Sequence, residues 1–168
     1  NATAPPELYP LPLHAALPIL STVIQQLNTL GLPRWRLPER YGGHAATLVE
    51  LLALLTELSA ADSNITQALR GHFGFCEDVL ATKDLDWQAK WLDKLSQGAL
   101  LPPGSTEVGT QTRGDFETPL HRDAAGALRI SGQKFYTTGA LYSDLINTIA
   151  TGEDGVPYSV VDDLNAPG

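Results

Sequence analysis

The texture of the sequence changes sharply at Gly98, and this change restricts the possible folds more than any other feature. Before it, leucines recur at three- and four-residue spacing, which is the period of an amphipathic helix. After it, glycines and prolines interrupt the chain every few residues and leave room only for short strands. Helices followed by strands, rather than alternating with them, predict an α+β fold with segregated halves.

Helical periodicity predicts four helices in the first half. Asp62 precedes the third as a candidate N-cap, with Ser63 or Asn64 as alternatives, and Asp86 precedes the fourth. Gly31 and Gly98 are the predicted stops of the first and fourth helices, since glycine is favoured just past a helix end. The predicted helices cover about 20–30, 47–61, 64–80 and 86–98.

Two segments of the second half have the composition of strands, Leu128–Ile130 and Lys134–Thr138. Alternation along the second strand would place Tyr136 and Thr138 on one face. Phe135, Tyr136, Thr137 and Thr138 are all good strand formers, so these four residues by themselves predict only a strand and no function.

The chain is therefore predicted to have three parts. Five prolines within the first 18 residues interrupt that segment too often for a helix, so we interpret 1–19 as a leader or tail outside the fold. An N-terminal helical domain follows over 20–99. The start of a β domain follows over 100–168.

Charge and cysteine content narrow the classes of function. The net charge is −8 and no basic cluster occurs, which argues against nucleic acid or an anionic membrane surface as a partner. The single cysteine, Cys76, cannot form a disulfide within the chain, and its apolar neighbours predict a buried structural thiol. No metal-ligand spacing and no apolar run of membrane-spanning length occurs. Nothing requires an oxidising compartment, and we expect a cytoplasmic protein.

Three segments in sequence order resemble the acyl-CoA dehydrogenase superfamily. The first is similar to the family's G…PExYGG connector, the second to its last N-terminal helix and the Thr-Glu flavin loop, and the third to its G-x-K-x-W-I-[ST] strand. The first segment is Gly31-Leu32 with Pro38-Glu39-Arg40-Tyr41-Gly42-Gly43. The second is Trp91–Leu95 with Gly98, followed by Ser105-Thr106-Glu107. The third is Ile130–Thr138. The resemblance covers about 20–168. It implies an N-terminal all-helical domain and the start of an antiparallel β-barrel-like middle domain, without the C-terminal helical bundle.

The resemblance also implies a flavin, FMN or FAD, and assigns residues to it. Tyr136 stands where the family has a tryptophan beside the flavin ring. Thr138 matches the hydroxyl residue that hydrogen-bonds the reactive edge of the ring. Thr106 and the Ser105 backbone match the loop that contacts its pyrimidine edge.

Two departures from the family pattern favour one branch. Where classical members read TEPxAGSD, with contacts to coenzyme A, this chain continues from Glu107 into Val108-Gly109-Thr110. The Tyr136-Thr137-Thr138 segment resembles the branch containing the dibenzothiophene monooxygenases, which take reduced flavin from a partner reductase and use oxygen. Thr137 adds a hydroxyl that suits this chemistry.

That branch also implies a role for His72. A histidine at the equivalent helix serves proton transfer there, and histidine ordinarily titrates near neutral pH. The alternative is a helix histidine that only hydrogen-bonds a backbone carbonyl.

The sequence therefore predicts the front portion of a reduced-flavin monooxygenase that acts on a small organic molecule, with sulfur-containing compounds among the candidate substrates. An FAD-dependent acyl-CoA dehydrogenase and a non-catalytic helical interaction module remain alternatives. The resemblance further implies a homotetramer at full length and places the dehydrogenase base in the later helical domain. We accordingly expect this chain alone to be inactive.

Overall fold

The computed structural model describes residues 13–107 and 116–165. Within them, four α-helices precede five short strands. The helices are α1 (Leu13–Thr29), α2 (Leu48–Ala61), α3 (Ser63–Ala81) and α4 (Leu85–Ser96). The strands are β1 (Pro103–Gly104), β2 (Leu120–Arg122), β3 (Leu128–Ile130), β4 (Leu145–Thr151) and β5 (Pro157–Asp163). The predicted α+β class is confirmed.

Side-chain caps define where three of the helices begin. Thr47 forms a capping box with Glu50 at the start of α2, and each residue satisfies a backbone N–H of the other. The Asp62 carboxylate accepts a hydrogen bond from the Asn64 N–H at the start of α3. For α4 the predicted cap is wrong. Asp84 caps the helix by accepting from the Trp87 N–H at 2.9 Å, and Asp86 lies inside the first turn.

The first helix begins at Leu13, earlier than the start near residue 20 that periodicity predicts. It therefore extends into the segment interpreted as a leader. Pro18 is the sixth residue of this helix. A single proline removes one backbone hydrogen bond, and the helix continues past it to Thr29. The other prolines of that segment lie outside the described residues.

The helices bury two apolar cores. The first joins α1, α2 and α3, and includes Ile24, Leu51 and Phe73. The second lies between α3 and α4, and the partly buried Leu145 and Val161 of the strands pack against it. Cys76 is fully buried in this second core, as predicted. Because strand residues contribute to a helical core, the two halves of the chain pack against each other.

The strands form two small sheets within the described residues, and neither sheet closes into a barrel. One has the order β1-β4-β5, in which β1 is parallel to β4 and β5 is antiparallel to it. The other is the antiparallel pair β2-β3, with Leu120 opposite Ile130. The 3₁₀ turn Ala140–Tyr142 leads into β4. The short β1 joins the end of the helical half to the central strand of the larger sheet.

The predicted strand over Lys134–Thr138 is wrong. These residues are irregular, and no other described strand pairs with them. Within 13–107 and 116–165, their one backbone hydrogen bond to another segment runs from the Phe135 N–H to the Thr106 carbonyl. A strand needs a ladder of such bonds, so the strand-forming composition of the segment is not sufficient.

Two glycines allow α3 to approach the second half closely. A Cβ on Gly71 would overlap the Pro103 ring, 2.6 Å from Cγ. Gly139, at φ +93°, lies against the Ala68 carbonyl and Pro102. These contacts fix the positions of the segments on either side of the candidate site. In the part of the chain described here, no helix combines the length and apolar character needed to cross a membrane.

Candidate functional site

The two segments predicted to contact a cofactor meet in the structure, although about thirty residues separate them in the sequence. The Phe135 N–H donates to the Thr106 carbonyl at 2.8 Å. Thr137 lies beside Gly104, where an added Cβ would come within 3.5 Å of its Cγ2. We call Ser105, Thr106, Tyr136, Thr137 and Thr138 the hydroxyl face.

The hydroxyl face offers polar groups and an uncovered ring. Among the described residues, no hydrogen bond joins the side-chain hydroxyl of Ser105, Thr106, Thr137 or Thr138 to a protein partner. Tyr136 is 89% exposed, more than any other large apolar or aromatic side chain of the described residues. Covering this ring with a ligand would remove its apolar surface from water, which favours binding. This donor set is suited to a flat ligand with a polar edge.

Strand β1, which leads into Ser105 and Thr106, is hydrogen-bonded to β4. The Asn147 N–H donates to the Pro102 carbonyl at 2.9 Å, and the buried Thr148 hydroxyl donates to the Gly104 carbonyl at 2.5 Å. A Cβ on Gly104 would lie 2.7 Å from Ile146 Cδ1, so β1 fits closely against this strand. Ser105 and Thr106 therefore directly follow a strand that is held firmly in the sheet.

A charged pair, Glu107 and Lys134, lies next to the hydroxyl face, one residue after Thr106 and two residues before Tyr136. Lys134 Nζ forms an ion pair with Glu107 Oε1 and also donates to the Ile149 carbonyl of β4 at 2.6 Å. The Glu107 carboxylate accepts further bonds from the Thr118 hydroxyl at 2.5 Å and from the Glu117 N–H at 2.5 Å. The two charged side chains are only 6% and 10% exposed.

The charge state of this pair is well defined. Burial alone raises the pKa of the Glu107 carboxyl, but hydrogen bonds from Lys134 and Thr118 outweigh it and lower the pKa to about 2. Glu107 is therefore ionised at neutral pH and acts as an acceptor. Both residues lie within the segments that resemble the family, but nothing local in the sequence links positions 27 residues apart, so their pairing could not be predicted from it.

A cavity of about 500 Å³ opens beside the pair. Its lining comprises Glu107, Glu117, Thr118, Ser131, Gly132, Gln133 and Phe135. The segment that follows Glu107, with the departure at Val108-Gly109-Thr110, lies outside the described residues.

The structure places His72 in the core and not on the hydroxyl face. The ring is 2% exposed, its Nε2 is 3.0 Å from the Pro33 carbonyl, and its Nδ1 accepts the Leu101 N–H at 3.2 Å. Because Nδ1 accepts, the proton is on Nε2 and is donated to Pro33. Desolvation by burial lowers the pKa of His72 to about 4, so it does not titrate near neutral pH here. Proton transfer by His72 stays a prediction, and it requires the ring to give up a backbone partner.

Cys76 also lies outside the site chemistry. Its sulfur is 3.5 Å from His72 Nε2, and burial raises the pKa of the thiol to about 12. The reactive thiolate is therefore absent at neutral pH.

Several solved structures share this fold. Butyryl-CoA dehydrogenase from Megasphaera elsdenii aligns with a TM-score of 0.75 at 20% identity, over 88% of this chain and 41% of that one. FMN-bound TdsC from Paenibacillus sp. A11-2 aligns with a TM-score of 0.69 at 16% identity, over 90% and 44%. KijD3 in complex with FMN and a dTDP-amino-keto sugar aligns with a TM-score of 0.71 at 21% identity, over 93% and 44%.

The chain thus spans less than half the length of each of these structures. At these identities the likeness concerns the fold. No curated protein matches the sequence. The family model for the acyl-CoA dehydrogenase N-terminal domain matches residues 13–99, slightly more than half of the chain. The helical half and the order of elements agree with this match, and the chain belongs to the acyl-CoA dehydrogenase family.

Proposed function

We propose that the whole protein is a flavin-dependent oxidoreductase and that the hydroxyl face holds part of its flavin ring. The observation that carries this proposal is that the Phe135–Thr106 hydrogen bond and the approach of Thr137 to Gly104 bring segment 136–138 beside segment 105–106. Their side-chain hydroxyls bond no protein group among the described residues. The FMN named with TdsC and KijD3 supports the choice of cofactor.

The residues present fit such a group. A flavin ring is flat and carries carbonyl and nitrogen acceptors along one edge, so hydroxyl donors and an aromatic plane complement it. Bound there, the flavin supplies the redox chemistry of the reaction. Tyr136 would cover the ring, Thr138 and Thr137 would donate to its edge, and Ser105 and Thr106 would orient it from the neighbouring loop.

Flavin affinity tests this assignment. Thr138→Ala should weaken flavin binding by roughly 0.5–1.5 kcal/mol, the usual net contribution of one hydrogen bond. Tyr136→Ala should weaken it through the loss of the covering ring. The measurement is quenching of flavin fluorescence on titration with the whole protein.

Thr56→Ala is the matched control. Thr56 lies on α2, which contributes nothing to the hydroxyl face, and its hydroxyl donates to the Leu52 carbonyl of its own helix. This variant should bind flavin as the wild type does. Absence of flavin binding by the wild-type whole protein would instead favour the helical interaction module.

Between the two oxidative reactions, we propose monooxygenation of a small organic substrate. The sequence after Glu107 lacks the Pro and Ser-Asp of the coenzyme A loop, while Tyr136-Thr137-Thr138 adds a hydroxyl. Under this proposal, the reduced flavin comes from a separate reductase. Acyl-CoA dehydrogenation is the second candidate, favoured by the TM-score of 0.75 to butyryl-CoA dehydrogenase.

A comparison of two reactions separates these candidates. We expect the whole protein to consume oxygen when it is given reduced FMN and small aromatic or sulfur-containing substrates. We expect its oxidised flavin to keep its colour when acyl-CoA thioesters of several chain lengths are added. The colour is measured as flavin absorbance. Rapid bleaching of the flavin by any of these thioesters would establish the dehydrogenase instead.

A further inference from the structure

We propose that Glu107 and Lys134 are a positioning pair, which sets the register between the two halves of the hydroxyl face. This inference rests on the proposed function, since the face is where flavin is proposed to bind. Neither side chain belongs to that face. Their effect on a ligand would act through Thr106 and Tyr136.

The position of the pair supports this role. Thr106 is adjacent to Glu107, and Phe135 is adjacent to Lys134. The single backbone bond between the two segments, from the Phe135 N–H to the Thr106 carbonyl, therefore lies directly beside the ion pair. One hydrogen bond permits the segments to pivot and slide. A second, charged contact beside it removes that freedom.

The pair is also anchored on both sides. Lys134 donates to the Ile149 carbonyl, and this hydrogen bond attaches the irregular segment 134–138 to the central strand β4. Glu107 accepts from the backbone and the hydroxyl of Thr118 at 3.1 and 2.5 Å. A Cβ on Gly132 would overlap that hydroxyl, so this close approach needs glycine there. The segment 134–138 lacks a strand ladder, so these contacts take the place of one.

Burial makes the pair sensitive to the loss of either charge. With side chains 6% and 10% exposed, water can compensate little for a missing partner. Removing one member therefore displaces the other, and it takes Thr106 or Phe135 with it. Exchanging both members for neutral groups avoids this penalty, because no charge is then buried without its counterion.

The test is a cycle of three variants: Glu107→Gln, Lys134→Met and the double variant. Each single change should weaken flavin binding by the whole protein about tenfold or more, the range that loss of an outer partner costs at metal sites. The double variant should lose less than the product of the two single losses. Affinity is measured by fluorescence quenching at a temperature where every variant is folded by circular dichroism.

Arg36→Met separates positioning from general destabilisation. Arg36 forms a bidentate ion pair with Glu77, with Nε 2.5 Å from Oε1 and Nη2 2.8 Å from Oε2. This pair lies in the helical half, outside the hydroxyl face. Its loss should lower the melting temperature but leave flavin affinity unchanged. An equal affinity loss in Arg36→Met would assign the effect to stability and overturn the inference.

The outcomes also separate this inference from the proposed function. If the wild type binds no flavin, the proposed function fails. If the wild type binds flavin and the folded single variants bind it equally well, the positioning pair alone is refuted. Losses that multiply in the double variant would mean that the two side chains act separately, which also contradicts a pair.

Discussion

Gly71→Ala should lower the free energy of unfolding of the chain by about 1–3 kcal/mol, the usual cost of forcing an extra methyl group into a packed site. The added Cβ would overlap Pro103 Cδ and lie 2.6 Å from Cγ, where α3 meets the start of β1. Alanine is the better helix former, so helix propensity alone predicts the opposite sign. The ring of Pro103 is rigid and follows the buried Pro102, so the clash should win.

Gly74→Ala is the matched control in the same helix, three residues later. Nothing lies within 4 Å of the Cβ that would be added there. It should therefore stabilise the chain by about 0.5–1 kcal/mol through helix propensity. Urea unfolding followed by circular dichroism gives both values. Stabilisation by Gly71→Ala would mean that α3 and Pro103 do not meet as closely as in this structure.

His72 should make the chain lose stability as the pH falls from about 6.5 to about 4. Its folded-state pKa lies below its unfolded value of 6.5, so the unfolded chain binds the additional proton in this window. The contribution is complete above the unfolded pKa. A depression to about 4 corresponds to about 3 kcal/mol at full effect, since each pKa unit is worth about 1.4 kcal/mol.

Carboxylates also titrate in this window, so the measurement is a difference between variants. His72→Gln should be less stable than the wild type at pH 7, because Pro33 and Leu101 lose well-placed partners. That deficit should shrink steadily toward pH 4. His121→Gln, at an exposed position of β2, should follow the wild-type curve. A deficit independent of pH would show that His72 is not buried in its neutral form.

Much of the helical half could be predicted from local sequence. The leucine spacing of α2 and its cap at Thr47 are encoded within a few residues, and the structure has the helix where the pattern puts it. The errors there are also local. Asp84 rather than Asp86 caps α4, because two candidate caps stand two residues apart. At α1, the five prolines of the first 18 residues predict no helix there, but the helix begins at Leu13 and includes Pro18.

The candidate site divides differently. Family resemblance assigns the residues of the hydroxyl face to a flavin, because their types and order are local properties, and this assignment stays a prediction. The resemblance was not enough to determine how they are held. Segment 134–138 has strand composition but no ladder, and a ladder depends on a partner that sequence composition cannot supply.

The sequence by itself thus determined the order of helices and strands and the family, while the residues that a flavin ring would meet stay a prediction. Only the tertiary structure decided that Glu107 pairs with Lys134 and that His72 is held between Pro33 and Leu101. The physical reason is the range of the interactions. Periodicity and caps act over three or four residues, whereas an ion pair and the burial of an imidazole depend on segments that only folding brings together.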